Sequence, residues 1–146
     1  MTNQRFEHAD GWIFVSMAFY QGETGTSLRD LIATADYINH AIPSDDEIEG
    51  GINRLCRAGL VTVEEDTFHL TPAGRVLLRD TYNQRASLLQ MWELLEKDLD
   101  GMDFPELDVP VFKLKRGQSK AAYKNYFDLI LDRHEKPRRR KKPSGP

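Results

Sequence analysis

The chain has 146 residues and a mass of 16.8 kDa, room for one domain of about 100 residues with appendages. Hydrophobic residues make up 40%, enough to build a core, and no apolar run approaches the roughly 20 residues that a membrane span needs. The formal net charge of −3 conceals an asymmetry: residues 1–112 hold eight Lys/Arg against twenty Asp/Glu, a net of −12, while residues 113–146 hold twelve against three, a net of +9.

The single cysteine, Cys56, excludes an internal disulfide and favours a reducing, cytoplasmic setting. The start, MTNQRFEHADG, has neither the basic beginning nor the apolar stretch of a signal peptide, and residues 1–9 read as an N-terminal arm. From there the apolar segment Trp12 to Tyr20 suits a buried strand or a helix buried on most sides. The context of the following elements selects the helix, with Asp10 as its N-cap. After the loop GETGT, Ser27 and Asp30 form a box-like cap for a second helix. Leu28, Leu31, Ile32, Ala35 and Ile38 line its inner face, and Asn39, His40 and Pro43 end it.

Local signals are densest between Ser44 and Pro72. Ser44 and Glu47 make a capping box, and Asp45, Asp46 and Glu47 complement the dipole of a third helix. Ile48, Ile52 and Leu55 form one apolar stripe, with Cys56 as a small buried residue beside it, and Gly59 supplies a left-handed stop. Leu60–Val63 and Thr67–Leu70 read as a hairpin around the acidic tip Glu64, Glu65 and Asp66. Thr71 as N-cap and Pro72 at the first helical position open the next helix.

The run LIATADYINHAIPSDDEIEGGINRLCRAGLVTVEEDTFHLTPAGRVLL, and above all LCRAGLV…FHLTPAG within it, resembles the bacterial winged-helix proteins that include MarR-type and PadR-type regulators. The resemblance spans about residues 10–80. It implies a mainly α fold with a small β-hairpin wing, a winged helix-turn-helix, followed here by a C-terminal helical extension. It also implies double-stranded DNA as partner, transcriptional regulation as function, and a third helix in the major groove. With the stripe turned inward, Asn53, Arg54 and Arg57 face outward and have the chemistry for base edges or phosphates. The alternative is a solvated face on which Arg54 or Arg57 pairs with nearby acids.

Two features oppose DNA. The hairpin tip is acidic where DNA-binding relatives carry Arg or Lys, and the third helix begins with four acids in five residues, Asp45 to Glu49. The competing expectation is therefore a protein-interaction adaptor that uses an acidic winged face.

Residues 72–99 read as one long helix, residues 81–101 being its continuation, stopped by Gly101. Leu88, Met91, Trp92, Leu95 and Leu99 give it an apolar stripe. In the families it resembles, long helices after the wing form homodimers; packing back onto the first helix is the alternative. Residues 102–135 comprise the linker MDFPELDVP, an extended or strand-like VFKLKRG, and a helix capped by Ser119 with Tyr123, Tyr126, Phe127, Ile130 and Leu131 on one side. That stripe either stacks on nucleic acid or docks on a core.

Residues 136–146 read as a disordered basic tail in which Arg138, Arg139, Arg140, Lys141 and Lys142 can neutralise phosphates or merely solubilise. No Ser/His/Asp grouping, glycine-rich phosphate loop or CxxC pair occurs, and His8, His40, His69 and His134 lack metal-ligand spacing. A non-enzymatic protein without cofactor or metal is expected.

Overall fold

The structure, a computed structural model, describes residues 5–18, 25–82 and 87–141. It is mainly helical with one small antiparallel sheet: α1 (His8–Ala18), β1 (Thr26–Ser27), α2 (Leu28–Asn39), α3 (Asp45–Arg57), β2 (Val61–Glu64), β3 (Thr67–Leu70), α4 (Pro72–Tyr82), α5 (Leu88–Gly101) and α6 (Gln118–Lys141).

The cap chemistry sets most of these boundaries. Ser27 accepts from the Asp30 N–H at 3.1 Å, and Ser44 and Glu47 exchange both bonds of a capping box. Thr71 accepts from the Gly74 N–H at 3.1 Å and donates to the Gly59 carbonyl at 2.6 Å, tying the start of α4 to the end of α3. Gly74 is required there. A Cβ at this position would stand 2.2 Å from the Leu60 carbonyl oxygen, a backbone atom that cannot turn aside. Asp10 is inside the first turn of α1 rather than before it, its carboxylate accepting from the Glu7 N–H at 2.9 Å, so that helix starts at His8, three residues before the Gly11 that an Asp10 cap implies.

The sheet has the order β1-β3-β2, with Val61 opposite Leu70 and Glu64 opposite Thr67. Its third strand, β1, is two residues long and carries too little pattern to be read from sequence. Glu65 and Asp66 close the hairpin with φ of 46° and 65°, both left-handed, in a two-residue turn where neither residue is glycine.

The core forms where the inner faces of α1, α2 and α3 meet the sheet. Ile13, Phe14, Met17, Leu31, Ile32, Ile48, Ile52, Leu55 and Phe68 are all buried in it. The expected stripes of α2 and α3 thus point inward as their spacing required.

After β3 the expected single helix is two. α4 ends at Tyr82 and α5 begins at Leu88, where Ser87 and Gln90 make a second full capping box. A cap satisfies α5's first N–H groups locally and lets the helix turn back onto α1. Trp92 stacks on Trp12 at 5.6 Å and donates its indole N–H to the His8 carbonyl at 3.0 Å. Met91, Trp92, Leu95 and Leu99 are buried inside this one chain, so the stripe assigned to dimerisation is spent on α1.

Residues 103–115 carry no regular secondary structure. α6 follows and rests on α2, where the Tyr126 hydroxyl donates to Asp36 at 2.8 Å. Its backbone is helical as far as Lys141, running into the stretch from residue 136 expected as a tail. Lys and Arg continue a helix at little propensity cost, whereas a proline inside one, as Pro137 is, removes one donor and crowds the carbonyl one turn back, at a cost of about 3 kcal/mol. Ser119 lies within the first turn of α6 rather than capping it.

Candidate functional site

The outer face of α3 is the natural place to look for function, because the hydrophobic stripe on the other side fixes which residues it presents. Three residues expected to meet DNA from this face are Asn53, Arg54 and Arg57. The structure places them in three different environments.

Arg54 turns back on its own fold. Its Nε donates to Asp10 Oδ2 at 2.6 Å and its Nη2 to Asp10 Oδ1 at 2.9 Å, a two-point fork, with Glu7 adding a contact at 3.1 Å. Asp10 is fully buried and the Arg54 side chain is only 17% exposed. Gly50 leaves space for the guanidinium, since a Cβ there would stand 2.7 Å from Nη2. The hydrogen bond to Asp10 raises the Arg54 pKa, against an opposing effect of burial. Arg54 is therefore a pin between α1 and α3, paired with acids as the alternative to a DNA role expected. Pairing across 44 residues cannot be seen in helical spacing.

Asn53 is also occupied. Its Nδ2 donates to the Phe112 carbonyl at 2.9 Å and its Oδ1 accepts from the Phe112 N–H at 2.7 Å. The amide expected to read a base edge is here holding a backbone. Arg57, at the C-terminal end of α3, keeps a partly exposed side chain, while its carbonyl accepts from the Leu107 N–H at 2.8 Å.

These bonds belong to one arrangement. The segment from Leu107 to Ser119 runs antiparallel along α3, meeting Arg57, then Asn53, then Glu49, then Asp45. Glu49 accepts from the Leu114 N–H at 2.6 Å, and the Ser119 hydroxyl bonds the Asp45 carboxylate. Phe112 meets Phe68 edge to face at 5.3 Å, so the segment also covers the sheet beside α3. At its beginning Arg5 donates to the Phe104 and Pro105 carbonyls at 3.1 and 2.7 Å. The sequence indicated an extended arm here, but most of the hydrogen bonds that hold it engage its backbone atoms, which leave no mark in residue type.

Beside the arm's first residues an open apolar groove of about 510 Å³ lies between α4 and residues 102–105, lined by Leu60, Pro72, Val76, Leu77, Met102 and Phe104. Burial pushes the Cys56 thiol up to about 11, against a smaller opposing effect of Arg57, which leaves it protonated and a poor nucleophile at neutral pH. Among the described residues no group of three or more His, Cys, Asp or Glu is placed to hold a metal ion, and no helix is long and apolar enough to cross a membrane.

Of the basic residues near the C-terminus, Arg138, Arg139, Arg140 and Lys141 lie on the backbone of α6. Their side chains, the side chain of Leu88 and all of Lys142 lie outside the described residues. No family model, curated protein or solved structure matches the chain.

Proposed function

We propose that this chain is a non-enzymatic winged-helix adaptor that binds a protein partner, acting in the cytoplasm. The element order helix, short strand, helix, helix, hairpin supports the winged-helix assignment. The observation that carries the adaptor role is the occupation of α3: Asn53 is bonded to Phe112, Arg54 to Asp10, and the face between them lies under residues 107–119. A helix in that condition offers a duplex neither the Asn53 amide nor the Arg54 guanidinium, and of the three expected contacts it leaves only Arg57. The hairpin tip of Glu64, Glu65 and Asp66 adds negative charge where phosphates would lie.

The +9 net charge of residues 113–146 favours a second activity, sequence-independent contact with double-stranded DNA through the basic end. The two are separated by fluorescence anisotropy on random duplex at several salt concentrations. An adaptor whose only affinity for DNA is its basic end loses binding when residues after Glu135 are deleted, and Asn53→Ala leaves binding unchanged. Sequence-selective binding that survives the deletion would overturn the adaptor assignment. A homodimer would need a surface other than the buried stripe of α5.

A further inference from the structure

The way the arm is held indicates what kind of partner α3 suits. Four of its hydrogen bonds to α3 engage only main-chain groups of the arm: Leu107 N–H, the N–H and carbonyl of Phe112 through one amide, and Leu114 N–H. Main-chain recognition accepts any extended segment of the right length. Specificity then rests on Phe112 and Leu114, which alternate inward, with Val109 ahead of them, all partly buried against the core. Between and around them Val111, Lys113, Lys115 and Arg116 are exposed. The receiving face is acidic, with Asp45, Asp46, Glu47 and Glu49 along the first turns of α3.

We propose that the outer face of α3, with Phe68 of β3, is a seat for an extended peptide of alternating apolar and cationic residues, and that the arm is its occupant in cis, with Phe112-Lys113-Leu114-Lys115 supplying the alternation. The partner is a protein segment with the same alternation, which enters by displacing the arm. This rests on the adaptor function proposed above and specifies its ligand. Two apolar side chains two residues apart fill the places of Phe112 and Leu114, while Asn53 holds the backbone of the first and Glu49 the N–H of the second. The cations of the incoming segment face the acids of α3 at long range, which raises the rate of encounter more than the strength of the complex.

A tethered occupant competes at an effective concentration in the millimolar range, so a free peptide binds the intact chain weakly. Removing the arm's own anchors removes that competition. The test uses the full chain carrying Phe112→Ala with Leu114→Ala and a fluorescein-labelled peptide of residues 105–117, followed by anisotropy. The peptide is expected to bind the double variant at least about tenfold more tightly than wild type. Adding Asn53→Ala should abolish the gain, and a peptide with Phe112 and Leu114 exchanged for lysine should not bind.

A folded double variant that fails to bind the peptide, or binds it equally well without Asn53, overturns the seat. Should the double variant lose its cooperative melt, a chain cut at a protease site placed after Gly101 replaces it, with exchange of the cut arm for labelled peptide as the readout. Failure to exchange overturns the proposal in the same way. Duplex binding by α3 would instead refute the adaptor function, and the anisotropy experiment on DNA reads that separately.

Discussion

The side-chain amide of Asn53 closes a two-bond ring with the backbone of Phe112, donating to its carbonyl at 2.9 Å and accepting from its N–H at 2.7 Å. The two residues are 59 positions apart, and their contact joins the middle of α3 to the centre of the arm. Whatever binds α3 from outside must first break it.

Asn53→Ala removes both bonds and leaves the Phe112 N–H and carbonyl to find water. The loss is about 1–3 kcal/mol of local stability, on the order of a ten- to hundredfold rise in opening of the arm. Hydrogen exchange at the Phe112 amide reads it directly. Exchange as slow as in wild type would show that the arm is held by other contacts.

Asp10 and Arg54 bind α1 to α3 as a buried pair, and removing one partner strands the other's charge. Asp10→Ala is expected to cost about 3 kcal/mol in chemical denaturation, whereas Asp10→Leu with Arg54→Met recovers most of that loss. Equal destabilisation by the single and double changes would mean that shape, not charge, ties the helices.

Leu95 is fully buried against α1. Leu95→Glu should therefore unfold the chain, costing more than about 3 kcal/mol, instead of yielding a folded monomer from a dimer. Size-exclusion chromatography beside a thermal melt separates these outcomes.

The hairpin turn stores strain at Glu65 and Asp66, whose positive φ values suit asparagine and glycine. Replacing them with Glu65→Asn and Asp66→Gly should stabilise the fold by about 1 kcal/mol, seen as a higher melting temperature. No gain would mean that the acidic side chains contribute something the turn geometry does not reveal.

Cys56 ties stability to alkaline pH. Its folded pKa of about 11 lies above the ordinary value of 9.0, so the native state holds the proton more tightly than the unfolded chain. Its contribution is complete below pH 9 and is lost as pH rises towards 11. Denaturation midpoints across that window should fall in wild type more steeply than in Cys56→Ala.

How much of this was legible beforehand depends on whether a feature is local. Ser44 with Glu47, Gly59, and Thr71 with Pro72 each act within a few residues, and each marks a boundary that the structure keeps. The break between α4 and α5 was equally local, in Ser87 and Gln90. The apolar positions from Val76 to Leu99 mask it by continuing a helical pattern across it. The candidate site was not legible. Helical spacing turns Asn53 and Arg54 outward in sequence terms, but their partners Phe112 and Asp10 come from distant segments, and Phe112 is held by its main chain, which has no residue signature.

The most direct measurement is an amide NMR titration of the full chain with random-sequence duplex DNA, following the Asn53 side-chain signals and the Phe112 backbone N–H. A face closed by the arm predicts that these signals stay in place while any shifts gather in the basic end of α6. Movement of Asn53, Arg54 and Arg57 together with release of Phe112 would contradict it and return α3 to DNA.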